Sequence, residues 1–178
     1  PDYVKRAVKC GYLPPMRTDD QIIEAAIRGE HVTDGERVVL FAHQYLRTPE
    51  GVHVGKPLRL SVFQRAFIIA IFDNPHGTRK AILSVARRNG KTAIVGVILL
   101  AFLVGPLAVK NSQLASAAMS RDQAALVFRL MVKMLMQSPE LEGTYRIVPS
   151  SKRIIGIAKN VEFEAMSSDS KTGHGRSL

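Results

Sequence analysis

The chain has 178 residues, 46% of them apolar and 6% aromatic with no Trp, a composition that can close a core and excludes a disordered chain. Its 25 Lys and Arg against 15 Asp and Glu leave a net charge of +10. That excess points to a polyanion, nucleic acid or an anionic membrane surface, unless it only keeps a basic domain dispersed. Cys10 is the only cysteine, so no intrachain disulfide can form and a reducing compartment is expected. The histidines, His31, His43, His53, His76 and His174, show no metal-ligand spacing.

Residues 1–9 are charged with no apolar run behind them, so no secretory signal is read, and the missing initiator Met implies a trimmed chain. Thr18-Asp19-Asp20 predicts a helix over 21–28 with Gly29 as its stop. A second helix is predicted over 36–47, with Val39, Leu40, His43 and Leu46 on one face. Pro49, Gly51, Gly55 and Pro57 make residues 49–57 a loop. Ser61-Val62-Phe63-Gln64 has the form of a capping box ahead of the apolar run 67–72.

Lys80-Ala81-Ile82-Leu83-Ser84-Val85 predicts a short buried strand, with a helix starting near Gly90. The charge-free residues 93–109 resemble a membrane span, but Gly96, Gly105 and Pro106 favour a buried helix followed by a turn. A second strand is predicted over 113–119. A helix over 121–137 follows, stopped by Ser138-Pro139 and carrying Met131, Met134 and Met136 in its core pattern. Three short strands, open to an antiparallel arrangement, fall at 145–148, 153–158 and 161–165. The strand–helix–strand–helix order predicts an α/β fold with a mostly parallel sheet flanked by helices, behind a helical N-terminal segment.

The segment with chemistry in it is Val85-Ala86-Arg87-Arg88-Asn89-Gly90-Lys91-Thr92, between a predicted strand and a predicted helix. Backbone N–H groups at a helix start can hold phosphate oxygens. Lys91 would reach the β- and γ-phosphates, the Thr92 hydroxyl would ligate Mg²⁺, and Gly90 lets the backbone approach closely. Val85 stands where the common G-x-x-x-x-G-K-[ST] pattern has its first glycine. A solvated basic cluster at a helix start is the other reading.

Ala86-Arg87-Arg88-Asn89-Gly90-Lys91-Thr92 resembles the deviant Walker A loop of phage terminase large subunits, the ATPases of DNA packaging. Pro57-Leu58-Arg59-Leu60-Ser61-Val62-Phe63-Gln64 resembles that family's adenine-side Q motif. The run from Ala115 to Ala124 resembles its second strand and the helix start after it, and the run from Ser167 to Gly175 its loop before Walker B. The resemblance covers roughly residues 36–178. It implies a P-loop NTPase-type (ASCE-like) fold, with residues 1–56 as a helical segment and 57–178 as an ATPase domain. It also implies ATP and Mg²⁺ as ligands, with Gln64 on adenine, Ala86, Arg87, Arg88, Asn89, Gly90, Lys91 and Thr92 around the phosphates, and Lys91 and Arg87 catalytic. Gln64 equally fits the capping box, and Arg87 equally fits DNA phosphate or solvent.

The partners so implied are double-stranded DNA, a portal protein, a small terminase subunit and further copies in a ring, with no membrane, in the host cytoplasm. The family's Walker B Asp and catalytic Glu are expected after Leu178, and its nuclease domain further on. An incomplete domain that is inactive alone is therefore expected. A helicase-like P-loop NTPase and a non-catalytic basic DNA-binding module are the alternatives.

Overall fold

The computed structural model describes residues 2–9, 13 and 15–167. Among these the helices are α1 (Asp2–Lys9), α2 (Asp19–Ile27), α3 (Asp34–Tyr45), α4 (Val62–Phe72), α5 (Lys91–Leu103) and α6 (Arg121–Met136). The strands are β1 (Gln113–Ala118), β2 (Tyr145–Val148), β3 (Arg153–Gly156) and β4 (Val161–Ser167). Two capping boxes set the first long helices. Thr18 N–H donates to Gln21 Oε1 at 2.8 Å, and Thr33 N–H donates to Glu36 Oε2 at 3.0 Å. The second box starts α3 two residues before the sequence expectation. Asp73, at the end of α4, accepts from the Thr33 hydroxyl at 2.7 Å and from Gly35 N–H at 2.9 Å. The start of α3 is thereby tied to the end of α4.

The core centres on α5. Ile94, Val97, Leu100, Ala101 and Leu103 are fully buried against Val38, Val39 and Leu46 on the α3 side, Phe128, Met131 and Met134 of α6, and Ile154 and Phe163 of the sheet. Each large aliphatic side chain so buried contributes about 1.5–3 kcal/mol. The helix end sits directly on the sheet: a Cβ at Gly156 of β3 would lie 2.2 Å from the Leu103 carbonyl oxygen. Residues 93–109 are thus a buried helix and a turn, and no helix among the described residues is long and apolar enough to cross a membrane. Met131 and Met134 fill the core as expected, but Met136 is 71% exposed. Two residues turn a helix by roughly 200°, which carries position 136 to the opposite face from 134.

The sheet has the order β1-β4-β3-β2. β1 and β4 pair in parallel, Gln113 opposite Glu162 through Ala118 opposite Ser167, with α6 in the crossover between them. β2–β3 and β3–β4 are antiparallel. The expected mostly parallel sheet is therefore a mixed one. The reason is chain length: residues 149–152 and 157–160 allow only a tight return, and a parallel link needs a crossover of a dozen residues or more.

A second expectation fails at residues 80–85, which form no strand; Ile82 is 78% exposed and only Leu83 and Val85 are partly covered. The apolar, β-branched run has the propensity, but a strand also needs a neighbour for its N–H and C=O groups. Neither edge of the described sheet supplies one.

Glu36 is the buried charge that joins these helices. Arg17 Nε donates to its carboxylate at 2.6 Å, with Thr33 N–H on the same group. Burial pushes its pKa up, but the Arg17 and Thr33 hydrogen bonds outweigh burial and hold it below the ordinary 4.5. A depressed folded-state value gives stability that is full above the unfolded value and lost as pH falls through the folded one. Urea midpoints should therefore fall on acidification below about pH 4.5. Glu36→Gln should cost about 1.5–3 kcal/mol at neutral pH and flatten that part of the acid profile. An unchanged acid slope in the variant would assign the transition to other carboxylates.

Candidate functional site

The loop before α5 is shaped by two left-handed residues, Arg88 at φ 66° and Gly90 at φ 70°. Gly90 is the N-cap of α5, and no side chain caps that helix. In this α5 differs from α2, α3 and α6, whose first N–H groups are met by Thr18, Thr33 and Ser120. The positive end of an apolar helix is thus left open beside an exposed basic loop of Arg87, Arg88 and Asn89. Lys91 lies half-buried and turns back over the loop, its ammonium donating to the carbonyls of Val85 and, at 3.1 Å, of Ala86. Thr92 follows, exposed on the first turn.

Gln64 reaches the same place from α4. Its Oε1 accepts from Ser61 N–H at 2.8 Å, forming the expected capping contact. Its Nε2 faces the loop: a Cβ added to Gly90 would lie 2.8 Å from that nitrogen. Both uses of Gln64 foreseen in the sequence are geometrically open, since the amide nitrogen is not consumed by the cap. The structure thus brings together Gln64, Gly90, Lys91, Thr92 and the backbone of Ala86, Arg87, Arg88 and Asn89. The glycine- and histidine-containing run after Ser167 lies outside the described residues.

Sequence reasoning placed His43 on the apolar face of α3 and went no further. In the structure its Nδ1 stands 2.6 Å from Asp19 Oδ2, and its Nε2 accepts from Leu60 N–H at 3.0 Å. The signal was present in a histidine at a helical core position, 7% exposed, downstream of an acidic helix start. Only the fold tells which backbone group it meets.

A Cβ at position 90 meets both a left-handed backbone and Gln64, so Gly90→Ala should lower stability by about 1 kcal/mol or more. Arg88 already bears the left-handed strain. Arg88→Gly relieves it while loosening the unfolded chain, and stability should stay within about 1 kcal/mol of wild type. Thermal melts of the two variants test the loop geometry; an equal loss in both would mean that the two left-handed turns are not built as described.

A family model for the terminase large subunit ATPase domain matches residues 63–177. The terminase large subunit of Enterobacteria phage HK97 is 52% identical over 146 residues, covering 82% of this chain and 29% of that protein. The crystal structure of the HK97 bacteriophage large terminase superposes with a TM-score of 0.75 at 51% identity, covering 82% of this chain and 30% of the other. The chain thus spans under a third of the length of the relative it matches. With the loop before α5 and Gln64 both inside the matched region, the chain belongs to the terminase large subunit ATPase-domain family.

Proposed function

We propose that this chain binds ATP at residues 85–92 in a P-loop manner, and that its intact protein hydrolyses ATP to drive double-stranded DNA into a viral procapsid. The observation that carries this reading is the open N-terminus of α5 behind Gly90, with the Lys91 ammonium parked on two neutral carbonyls. A phosphate is a better partner for an ammonium than a carbonyl, because a charge-assisted hydrogen bond is about twice as strong as a neutral one. The donor set also fits the ligand: backbone N–H groups, an ammonium and guanidinium groups, next to a left-handed glycine where a Cβ would press on the Gln64 amide.

In this reading Lys91 releases the loop carbonyls and holds the β- and γ-phosphates. The N–H groups from Ala86 to Thr92 line the cradle, and the Thr92 hydroxyl is the Mg²⁺ ligand. The Gln64 amide meets the adenine edge, and Arg87 approaches the γ-phosphate. When bound, Mg²⁺ would supply positive charge that offsets the charge of the phosphates. Binding and charge stabilisation are what these residues can do; activating water requires a carboxylate besides them. Residues 57–178 would form the nucleotide-binding part and residues 1–56 a helical buttress. The packaging role brings with it an oligomeric ring, a portal protein and a small terminase subunit in the host cytoplasm.

Arg87 separates this assignment from a mere basic patch. A guanidinium forks onto two phosphate oxygens, so its loss should be felt by ATP and hardly by ADP. Titrating both nucleotides against the full-length protein, Arg87→Ala should weaken ATP roughly ten- to a hundred-fold with ADP nearly unchanged. Arg87→Lys should rescue in part, and Lys91→Ala should abolish ATP binding and phosphate release. An ATP-to-ADP ratio unmoved by Arg87→Ala removes that residue from the site, and ATP binding unaffected by Lys91→Ala removes the site itself.

The net charge of +10 supports the DNA side of the proposal. Exposed Arg79, Lys80, Arg87 and Arg88 cluster before α5. Duplex binding by this chain should be blind to sequence and fall steeply between about 50 and 200 mM salt, as counterions displaced from DNA dominate such binding. Affinity indifferent to salt would mean that the charge serves only solubility.

A further inference from the structure

The segment between α3 and α4 is held by two bonds back to the α3 side. Leu58 N–H donates to the Leu46 carbonyl at 2.9 Å, and Leu60 N–H donates to His43 Nε2 at 3.0 Å. The next amide, Ser61 N–H, donates to Gln64 Oε1 at 2.8 Å. Two consecutive backbone amides thus carry the position of α3 into the Gln64 side chain, whose nitrogen faces Gly90.

The protonation pattern along this chain follows from the partners. A backbone N–H can only donate, so His43 Nε2 must be the bare, accepting nitrogen, and the ring proton sits on Nδ1 and points at Asp19. Asp19 is also met by Arg59, 3.3 Å from the same oxygen Oδ2, and by Arg65, 3.8 Å from Oδ1. Arg65 is the residue after Gln64. A histidine that is 7% exposed would pack no worse as an apolar side chain; what it adds is the acceptor for Leu60.

We infer that His43, oriented by Asp19, is a positioning residue that holds Gln64 against the nucleotide loop and so sharpens selection of the adenine base. The inference rests on Gln64 as the adenine contact. Its natural probe is inosine triphosphate, which carries an oxygen where adenine has its 6-amino group and leaves the phosphates unaltered.

Equilibrium binding of Mg-ATP and Mg-ITP to the full-length protein decides it. Gln64→Ala should narrow the preference for ATP about three- to ten-fold, the scale of one hydrogen bond. His43→Ala should narrow it to the same degree, and the double variant no further. His43→Gln, whose amide oxygen can take the Leu60 N–H, should restore most of it. Asp19→Ala, altering a half-buried side chain, covers the case in which His43→Ala does not fold, and should shift the preference in the same direction. A lowered melting temperature with an unchanged ATP-to-ITP ratio in His43→Ala and Asp19→Ala, while Gln64→Ala does shift it, overturns the positioning role alone. A ratio that Gln64→Ala itself leaves unmoved, or a wild type without preference, overturns the base-reading role of Gln64 and this inference with it.

Discussion

Helix α5 is apolar around its whole circumference, and everything else in the fold answers to that. An amphipathic helix can lie on a surface; one without a polar face must be surrounded. Here α3, α6 and the sheet cover most of it, leaving Val95 exposed, and Gly156 removes a side chain that would hold its C-terminal end off β3. Sliding such a helix along its axis would expose Leu103 at one end or bury Lys91 at the other. Its first turn is therefore fixed relative to the core, and with it the loop that ends at Gly90.

Around that helix the charged groups work as couplers between elements. Asp73 ties α4 to the start of α3, Arg17 ties the segment before α2 to Glu36, and Asp19 meets His43 of α3 and Arg65 of α4. Surface ion pairs contribute little on their own. These are partly or wholly buried, and all but the 3.8 Å Asp19–Arg65 pair are hydrogen-bonded, so removing one member strands the other, which is where a cost appears. The helical N-terminal part is thereby joined to the element that carries Gln64. Residues far from the loop in sequence are thus packed onto the helix whose Gln64 lies beside it.

Local chemistry was the readable part of the sequence. Thr18 and Ser61 announce helix starts because a cap is decided within four residues, and Gly90-Lys91-Thr92 announces the loop for the same reason. Thr33 caps α3 in the same way, but the start expected from the sequence lay two residues later. The run at 80–85 misleads because strand formation depends on a partner that local propensity cannot see. The antiparallel arrangement left open for the three short strands is the one found, and it makes the sheet mixed where a mostly parallel one was expected, because pairing direction follows from links of only four residues, 149–152 and 157–160. Met136 shows the limit of a pattern read without its phase. His43 is the clearest case in the site itself: its spacing marks it as a core position, and nothing in the spacing names Leu60 N–H as the group it serves.

The loop's geometry also bears on how tightly it can hold a nucleotide. Arg88 and Gly90 already stand in the left-handed region, Lys91 already bridges two carbonyls, and the capped Gln64 already lies beside Gly90. A loop so held gives up little conformational freedom on binding, and the cost of ordering it has largely been met by the folding of α5 and α4. What binding must still do is exchange the neutral carbonyl partners of Lys91 for charged phosphate oxygens, a trade whose sign favours the phosphate. Affinity then depends on the difference between two sets of hydrogen bonds and not on their sum. Arg87 has no loop carbonyl to give up, so its contact with a γ-phosphate would enter that difference almost undiminished. This is why the guanidinium, more than the lysine, is the group through which such a loop would tell ATP from ADP.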